Sequence, residues 1–341
     1  MEHIEFVHLI LDWYKKNQRD LPWRKEKDPY KIWLSEILLQ QTRVSQGLPY
    51  YYKFINEFPN ITSLAHAEEQ KILRLWQGLG YYSRARNLRE TAIFIVKVLN
   101  GNFPDTYKEL LKLKGIGEYT AAAIASFAFG EKVAAIDGNV YRVLARVFGI
   151  DLPPSSTEGK KLFKKIANEL LPTKETATYN QAMMEFGALQ CTAPNPACIN
   201  CPVAVHCFAR KNEKQKELPL RKKTIEKKKR YFSYKVYFAE DHYILEKRDK
   251  NDIWKGLYQF PLLENTKQEV ADRELKYTNK VYRQTLSHQI IEAYFDKIAV
   301  KNLNALKKIA KHSNGTIYSL SAVEELPKPV VINNYLKENI F

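Results

Sequence analysis

Leu113-Lys114-Gly115-Ile116-Gly117-Glu118-Tyr119-Thr120 leads through an alanine-rich segment to Ala135-Ile136-Asp137-Gly138-Asn139. The two glycines around Ile116 permit a tight turn and leave backbone N–H groups unscreened by side chains. A helix beginning after Gly117 directs the positive end of its dipole over that turn. A phosphate oxygen suits such a position. The alternative is an ordinary joint between two helices with Ile116 as a core plug, and an isolated G-x-G does not separate the two. The surrounding residues have to decide.

Working outward, the pattern is helical on both sides. Phe6, Ile10 and Trp13 stand at helical spacing in an amphipathic first helix that Pro22 closes. Helical periodicity covers 30–52, 68–75, 83–100, 107–113 and 120–129, with glycine punctuation at Gly78, Gly80 and Gly101, and resumes at 139–148, 157–171 and 178–189. This is an all-α region. The stretch 211–230 is strongly basic with few large apolar residues and reads as a solvated linker. Beyond it the period changes to two over 231–239, 243–247, 280–286 and 293–300, with helical patches near 264–276 and 303–312, so 231–341 is a smaller α+β domain.

With 341 residues, 45% of them hydrophobic, the chain can build two cores. Lys and Arg number 54 against 38 Asp and Glu, a net charge of +16, which points to a polyanionic partner. No apolar run approaches the roughly 18 residues of a membrane span, so nucleic acid is favoured over a lipid surface. The N-terminus, with Glu2 and Glu5, has neither the basic nor the apolar region of a signal peptide, and a cytoplasmic location is expected.

Four groups could carry chemistry. All four cysteines fall in one C-x6-C-x2-C-x5-C loop, Cys191, Cys198, Cys201 and Cys207, which reads as one ligand set rather than a disulfide framework. Structural zinc is one reading. Zinc ribbons present two C-x2-C knuckles, however, and this loop has one, so an iron–sulfur cluster suits it better. Glu36, Gln40 and Arg43 form a polar stripe on a helix whose flanks, Trp33, Leu34, Ile37 and Leu38, are apolar. The stripe is either solvated or faces a low-dielectric cleft, where burial would keep Glu36 protonated as a general acid. Asp137 is either the N-cap of the helix that follows or the second carboxylate that glycosidic cleavage requires. Tyr81 and Tyr82, beside Gly78 and Gly80 and followed by Arg84 and Arg86, suit base stacking and core packing equally.

Taken together, WLSEILLQQTRV (33–44), GLGYYSRARNL (78–88), LKGIGEYTAAAI (113–124), IDGNVYRVLAR (136–146), NQAMMEFGALQC (180–191) and the cysteine loop resemble the MutY-type adenine DNA glycosylases of the helix-hairpin-helix superfamily. The resemblance implies an iron–sulfur cluster subdomain from 1–28 plus 136–210, a six-helix barrel subdomain over 29–135, and a Nudix-like 8-oxoguanine recognition domain over 231–341. It implies a monofunctional enzyme of base excision repair. Glu36 would protonate adenine N7, Asp137 would stabilise the cationic sugar, and Tyr119 and Asn139 would orient the site. Gln41 and Tyr81 would wedge into the duplex, Arg24 would reach the flipped adenine, and Gly115 and Gly117 would grip the backbone.

The cysteines would hold a [4Fe-4S] cluster that shapes a basic loop. The expected partner is double-stranded DNA carrying adenine opposite 8-oxoguanine or guanine, bound by a monomer, with no membrane involved. In the last domain the lesion-reading turn would be Leu286, Ser287 and His288, with Leu286 where the family often has Phe. Residues 231–341 contain no Nudix box, so this domain would read and not hydrolyse. Tyr141 stands where many bacterial members carry Lys. Two rivals remain: an endonuclease III-like lyase, which would carry a Schiff-base Lys at position 119, and a non-catalytic lesion binder.

Overall fold

The computed structural model describes residues 3–220, 226–249, 252–266, 269 and 280–341. Two compact units form, one from residues 1–65 and 90–223, the other from 66–89 and 224–341.

The first unit is helical. α1 (His3–Asn17) buries Phe6, Ile10 and Trp13 as their spacing predicts. α2 (Pro29–Leu39) begins at Asp28, whose carboxylate accepts from the Tyr30 N–H, with Pro29 at the first helical position. The periodicity over 30–52 predicts one helix, but two form: α2 ends at Leu39, and α3 (Val44–Glu57) starts after a turn in which Gln41 holds φ of 58°. A left-handed conformation at a non-glycine residue stops a helix whatever its hydrophobic pattern says. The stripe Glu36–Gln40–Arg43 therefore does not lie on one helix.

α4 (Ile61–His66), α5 (Glu69–Leu75), α6 (Ser83–Val98) and α7 (Tyr107–Leu110) follow in the chain. The turn after α7 carries Gly115 at φ +78°, a conformation only glycine adopts without strain. Ile116 is buried there, so it is a core plug as well as the tip of the hairpin. α8 (Glu118–Phe129) is buried without interruption from Thr120 to Phe127, and its small alanines let α2 and α11 (Thr176–Leu189) pack closely against it. Gly130, left-handed, ends it.

α9 (Gly138–Phe148) and α10 (Thr157–Glu169) are amphipathic and capped by Asp137 and Ser156. One core joins α1, α9, α10 and α11 with the cysteine loop: Phe6, Ile10, Leu144, Phe163 and Phe186 are fully or nearly fully buried in it, and Cys207 is part of it. α12 (Phe208–Lys211) follows that loop.

The second unit contains a mixed sheet of seven strands among the described residues: β1 (Lys228–Ala239), β2 (His242–Lys247), β3 (Tyr258–Gln259), β4 (Leu262–Asn265), β5 (Tyr282–Thr285), β6 (Gln289–Ala299) and β7 (Thr316–Ser319). The order is β3-β2-β1-β6-β5, with β4 on β1 and β7 on β2. β1 and β6 run parallel, in register from Lys228–Gln289 to Phe238–Ala299, and every other pair is antiparallel. β1 opens three residues before its alternation does. Arg230, from the basic run, is held there by Asp252 at 2.7 Å and Glu264 at 2.7 Å. The helical patch expected near 264–276 is a strand at its start, where Glu264 and Asn265 pair with Phe232 and Tyr231, and nearly all of the rest lies outside the described residues. α13 (Leu303–His312), α14 (Leu320–Glu325) and α15 (Val330–Asn339) complete the unit. No helix among the described residues is long and apolar enough to cross a membrane.

Candidate active site

α2 is apolar almost all round, with Ile32, Trp33, Leu34, Ile37 and Leu38 buried, and it carries its one carboxylate inward with them. Glu36 is only 7% exposed. Its Oε2 accepts a 2.5 Å hydrogen bond from the hydroxyl of Tyr119, which stands in the first turn of α8. Burial pushes the Glu36 carboxyl up to about 7. The Tyr119 bond pulls it down, the neighbouring Asp137 charge pushes it up, and Arg24 pulls it down. A carboxyl poised at that value is protonated often enough at neutral pH to act as an acid.

Asp137 takes the first of the roles its position suggests. As the cap of α9, its Oδ1 accepts from the N–H groups of Asn139 at 2.9 Å and Val140 at 2.8 Å, and Oδ2 accepts from Asn139 Nδ2 at 2.7 Å. It also faces the same cleft as Glu36. Burial raises its pKa, and all three N–H donors oppose the rise because they bond to the ionised form. Two carboxyl groups thus share one cavity in unlike settings: one against a phenol and an apolar wall, the other in a ring of N–H donors. Unlike settings of this kind can hold two carboxyls in different protonation states.

The cleft measures about 1070 Å³, and Glu36, Tyr119, Asp137, Asn139, Arg24 and Gln41 all line it. No lysine is among its described lining residues. Arg24 does not extend as a free arm. It donates to Glu185 through Nη1 at 2.9 Å and through Nη2, and lies over the ring of Tyr14. Glu185 also receives Arg19 at 2.6 Å. Burial alone would raise the Glu185 carboxyl, but the bonds from both arginines hold it at about 2. Sequence reasoning assigned Glu185 nothing. Its signal was a lone carboxylate among the buried Ala182, Met183 and Phe186 of α11, where an unpaired charge would be costly. Arg142 is a second omission. It donates to Asn139 Oδ1 at 2.7 Å, Gly187 O at 2.8 Å and Cys191 O at 2.8 Å, joining the cap of α9 to the start of the cysteine loop.

Four sequence candidates lie in the second unit. Tyr81, at φ 48°, is 45% exposed while Tyr82 is buried, so core packing falls to Tyr82 and Tyr81 stands at the surface. The Tyr81 hydroxyl is hydrogen-bonded to Ser287 Oγ. Ser287 and His288 are exposed at the β5–β6 turn, and Leu286 is half-buried, with its N–H bonded to Gln289 O at 2.8 Å.

Cys191, Cys198, Cys201 and Cys207 line a single pocket in the first unit, together with Arg146 and Arg210. Burial pushes the Cys201 thiol up to about 12, and the other three thiols add to the rise. Four mutually repelling sulfurs in one enclosed site are stable as thiolates only around a cationic centre. Among the described residues no three His, Cys, Asp or Glu converge closely enough for one metal ion. The donor set, four thiols around one pocket, fits a thiolate-bound metal group.

Residues 34–170 match the family model described as HhH-GPD superfamily base excision DNA repair protein. An adenine DNA glycosylase of Buchnera aphidicola subsp. Acyrthosiphon pisum is 36% identical over 98% of this chain and 99% of its own length. The chain belongs to the adenine DNA glycosylase family. A relative of the same name from Buchnera aphidicola subsp. Baizongia pistaciae is 42% identical over 76% of this chain and 74% of its own. Among solved structures, a thermostable thymine-DNA glycosylase superposes with a TM-score of 0.58 at 30% identity, over 62% of this chain and 97% of that one. An endonuclease III in a non-covalent DNA complex superposes with a TM-score of 0.54 at 20% identity, over 62% and 98%, which speaks for the fold.

Proposed function

We propose that the protein hydrolyses the N-glycosidic bond of adenine mispaired with 8-oxoguanine or guanine in double-stranded DNA. The observation that carries this reading is the Glu36–Tyr119 hydrogen bond beside Asp137, the cap of α9, in one cleft large enough for an extruded base. The adenine leaves the stack at a cost of a few kcal/mol before any acid can reach it. Glu36 gives its proton to N7 and the C1′–N9 bond breaks, so adenine departs neutral with the bonding electrons. Asp137 stabilises the sugar cation until water adds at C1′ and releases a proton, leaving an abasic site. Asn139 holds Asp137, and Tyr119 holds Glu36. Arg24, fixed by Glu185, forms a wall of the base pocket.

The lyase rival needs an amine nucleophile. Tyr119 occupies the position where that family would carry Lys, and no lysine lines the described cleft. Residues 231–341 act as a Nudix-like reader of the opposite base, with Ser287 and His288 as contacts and Tyr81 inserted beside them. Cys191, Cys198, Cys201 and Cys207 would hold a [4Fe-4S] cluster, which supplies structural order to the loop. The test is single-turnover release of adenine placed opposite each of the four bases and 8-oxoguanine, with borohydride added in parallel. Adenine release fastest opposite 8-oxoguanine or guanine, without covalent trapping, is the expected outcome. Strong trapping with strand nicking, or no release from the wild type, contradicts the reading.

A further inference from the structure

Asn180, Met184 and Gly187 stand at i, i+4 and i+7 on α11 and therefore on one face of it. Each meets the segment or the side chains that set the catalytic carboxyls. Asn180 is 3% exposed and uses its whole amide. Its Oδ1 accepts from Ala135 N–H at 3.1 Å, and its Nδ2 donates to Val133 O at 2.9 Å and to Ser126 Oγ at 2.9 Å. The first two bonds flank residue 134 as a neighbouring β-strand would, so one side chain supplies the backbone partners of an extended segment that ends two residues before Asp137. Met184 Sδ lies 3.3 Å from the Tyr119 hydroxyl. Gly187 meets Asn139, whose amide holds Asp137: a Cβ there would stand 2.6 Å from Asn139 Cβ and 2.9 Å from Asn139 O.

We infer that this face of α11 is the positioning element of the glycosylase site, and that Asn180 is its decisive residue, fixing Asp137 by clamping the backbone that delivers it. The inference rests on the role of Asp137 proposed above. Asn180 touches no substrate and acts only through where Asp137 stands. A displacement on the order of 1 Å at a reacting group costs about a hundredfold in rate. The α9 cap fixes the orientation of the Asp137 carboxylate within its own turn, and the Asn180 clamp fixes where that turn begins. Gly187 sets how near α9 approaches.

The experiment compares Asn180→Ala, Ser126→Ala and Asp137→Asn in the full-length protein, reading single-turnover adenine release and duplex affinity separately. Asn180→Ala is expected to slow release at least tenfold with affinity within about threefold of wild type. Ser126→Ala, which removes a buried bond of Asn180 but leaves the clamp, is expected to stay within about threefold in both. If Asn180→Ala does not fold, the isosteric Asn180→Asp carries the same comparison, because it keeps the acceptor for Ala135 N–H and loses the donor facing Val133 O. Wild-type release by the Asn180 variant, or a loss that Ser126→Ala reproduces in full, overturns the inference. Unimpaired release by Asp137→Asn instead overturns the assignment of Asp137.

Discussion

At the scale of the residue, Glu36 stores its chemistry as an unfavourable charge. An ordinary glutamate ionises near 4.5, and burial has carried this one to about 7. Between those values the folded state binds a proton that the unfolded chain has released, so this residue's contribution falls as pH rises through the window and is fully present only below 4.5. The difference corresponds to roughly 3 kcal/mol when complete. Glu36→Gln keeps the shape and cannot ionise. Its melting temperature relative to wild type should rise between pH 5 and pH 8, which thermal unfolding at several pH values measures directly. In the proposed mechanism the same substitution removes the acid, so catalysis and stability should move in opposite directions at alkaline pH.

At the scale of the element, α11 shows which features are legible in a sequence. Its periodicity predicts a helix, and 178–189 lies within the observed Thr176–Leu189. Glu185 is where pattern reading stopped. Its two partners are 161 and 166 positions away in the chain, and nothing local marks them. Glu185→Gln should leave Arg19 and Arg24 without their counter-charge and cost roughly 3–5 kcal/mol, seen as a lowered denaturation midpoint at pH 7. Because Glu185 is held at about 2, its stabilisation is present above 4.5 and is lost as pH falls through about 2, so the variant and wild type should converge in acid. The cap at Asp137 was readable, since an Asp directly before a helical pattern is a local signal. The break between α2 and α3 was not, because the left-handed turn at Gln41 falls in a stretch, 40–43, with no glycine or proline to mark it. Short strands such as β3 and β7 offer too few alternations to register.

At the scale of the whole molecule, the helical fold follows from the recurrent 3.6 period of the first 189 residues and the mixed sheet from the switch to a period of two after the basic run. The parallel β1–β6 pair is a long-range choice that no local pattern announces. The cysteine loop ties into the same core as α1, α9 and α11, and Arg142 runs from the Asp137 cap to Cys191. Replacing Cys201 with Ala should therefore lower iron content and melting temperature together, measured by iron assay and thermal unfolding of the same preparation.

The central claim is that a buried, protonated Glu36 delivers the proton. The direct measurement is the pH profile of single-turnover adenine release for wild type, Glu36→Gln and Tyr119→Phe. Wild-type release should fall as pH rises through about 7. Glu36→Gln should lose roughly 10²–10⁴-fold with duplex binding retained. Tyr119→Phe, lacking the bond that holds the Glu36 carboxyl down, should move the alkaline limb upward. A wild-type profile flat across pH 6 to 8, or a Glu36→Gln protein that releases adenine at the wild-type rate, would contradict it.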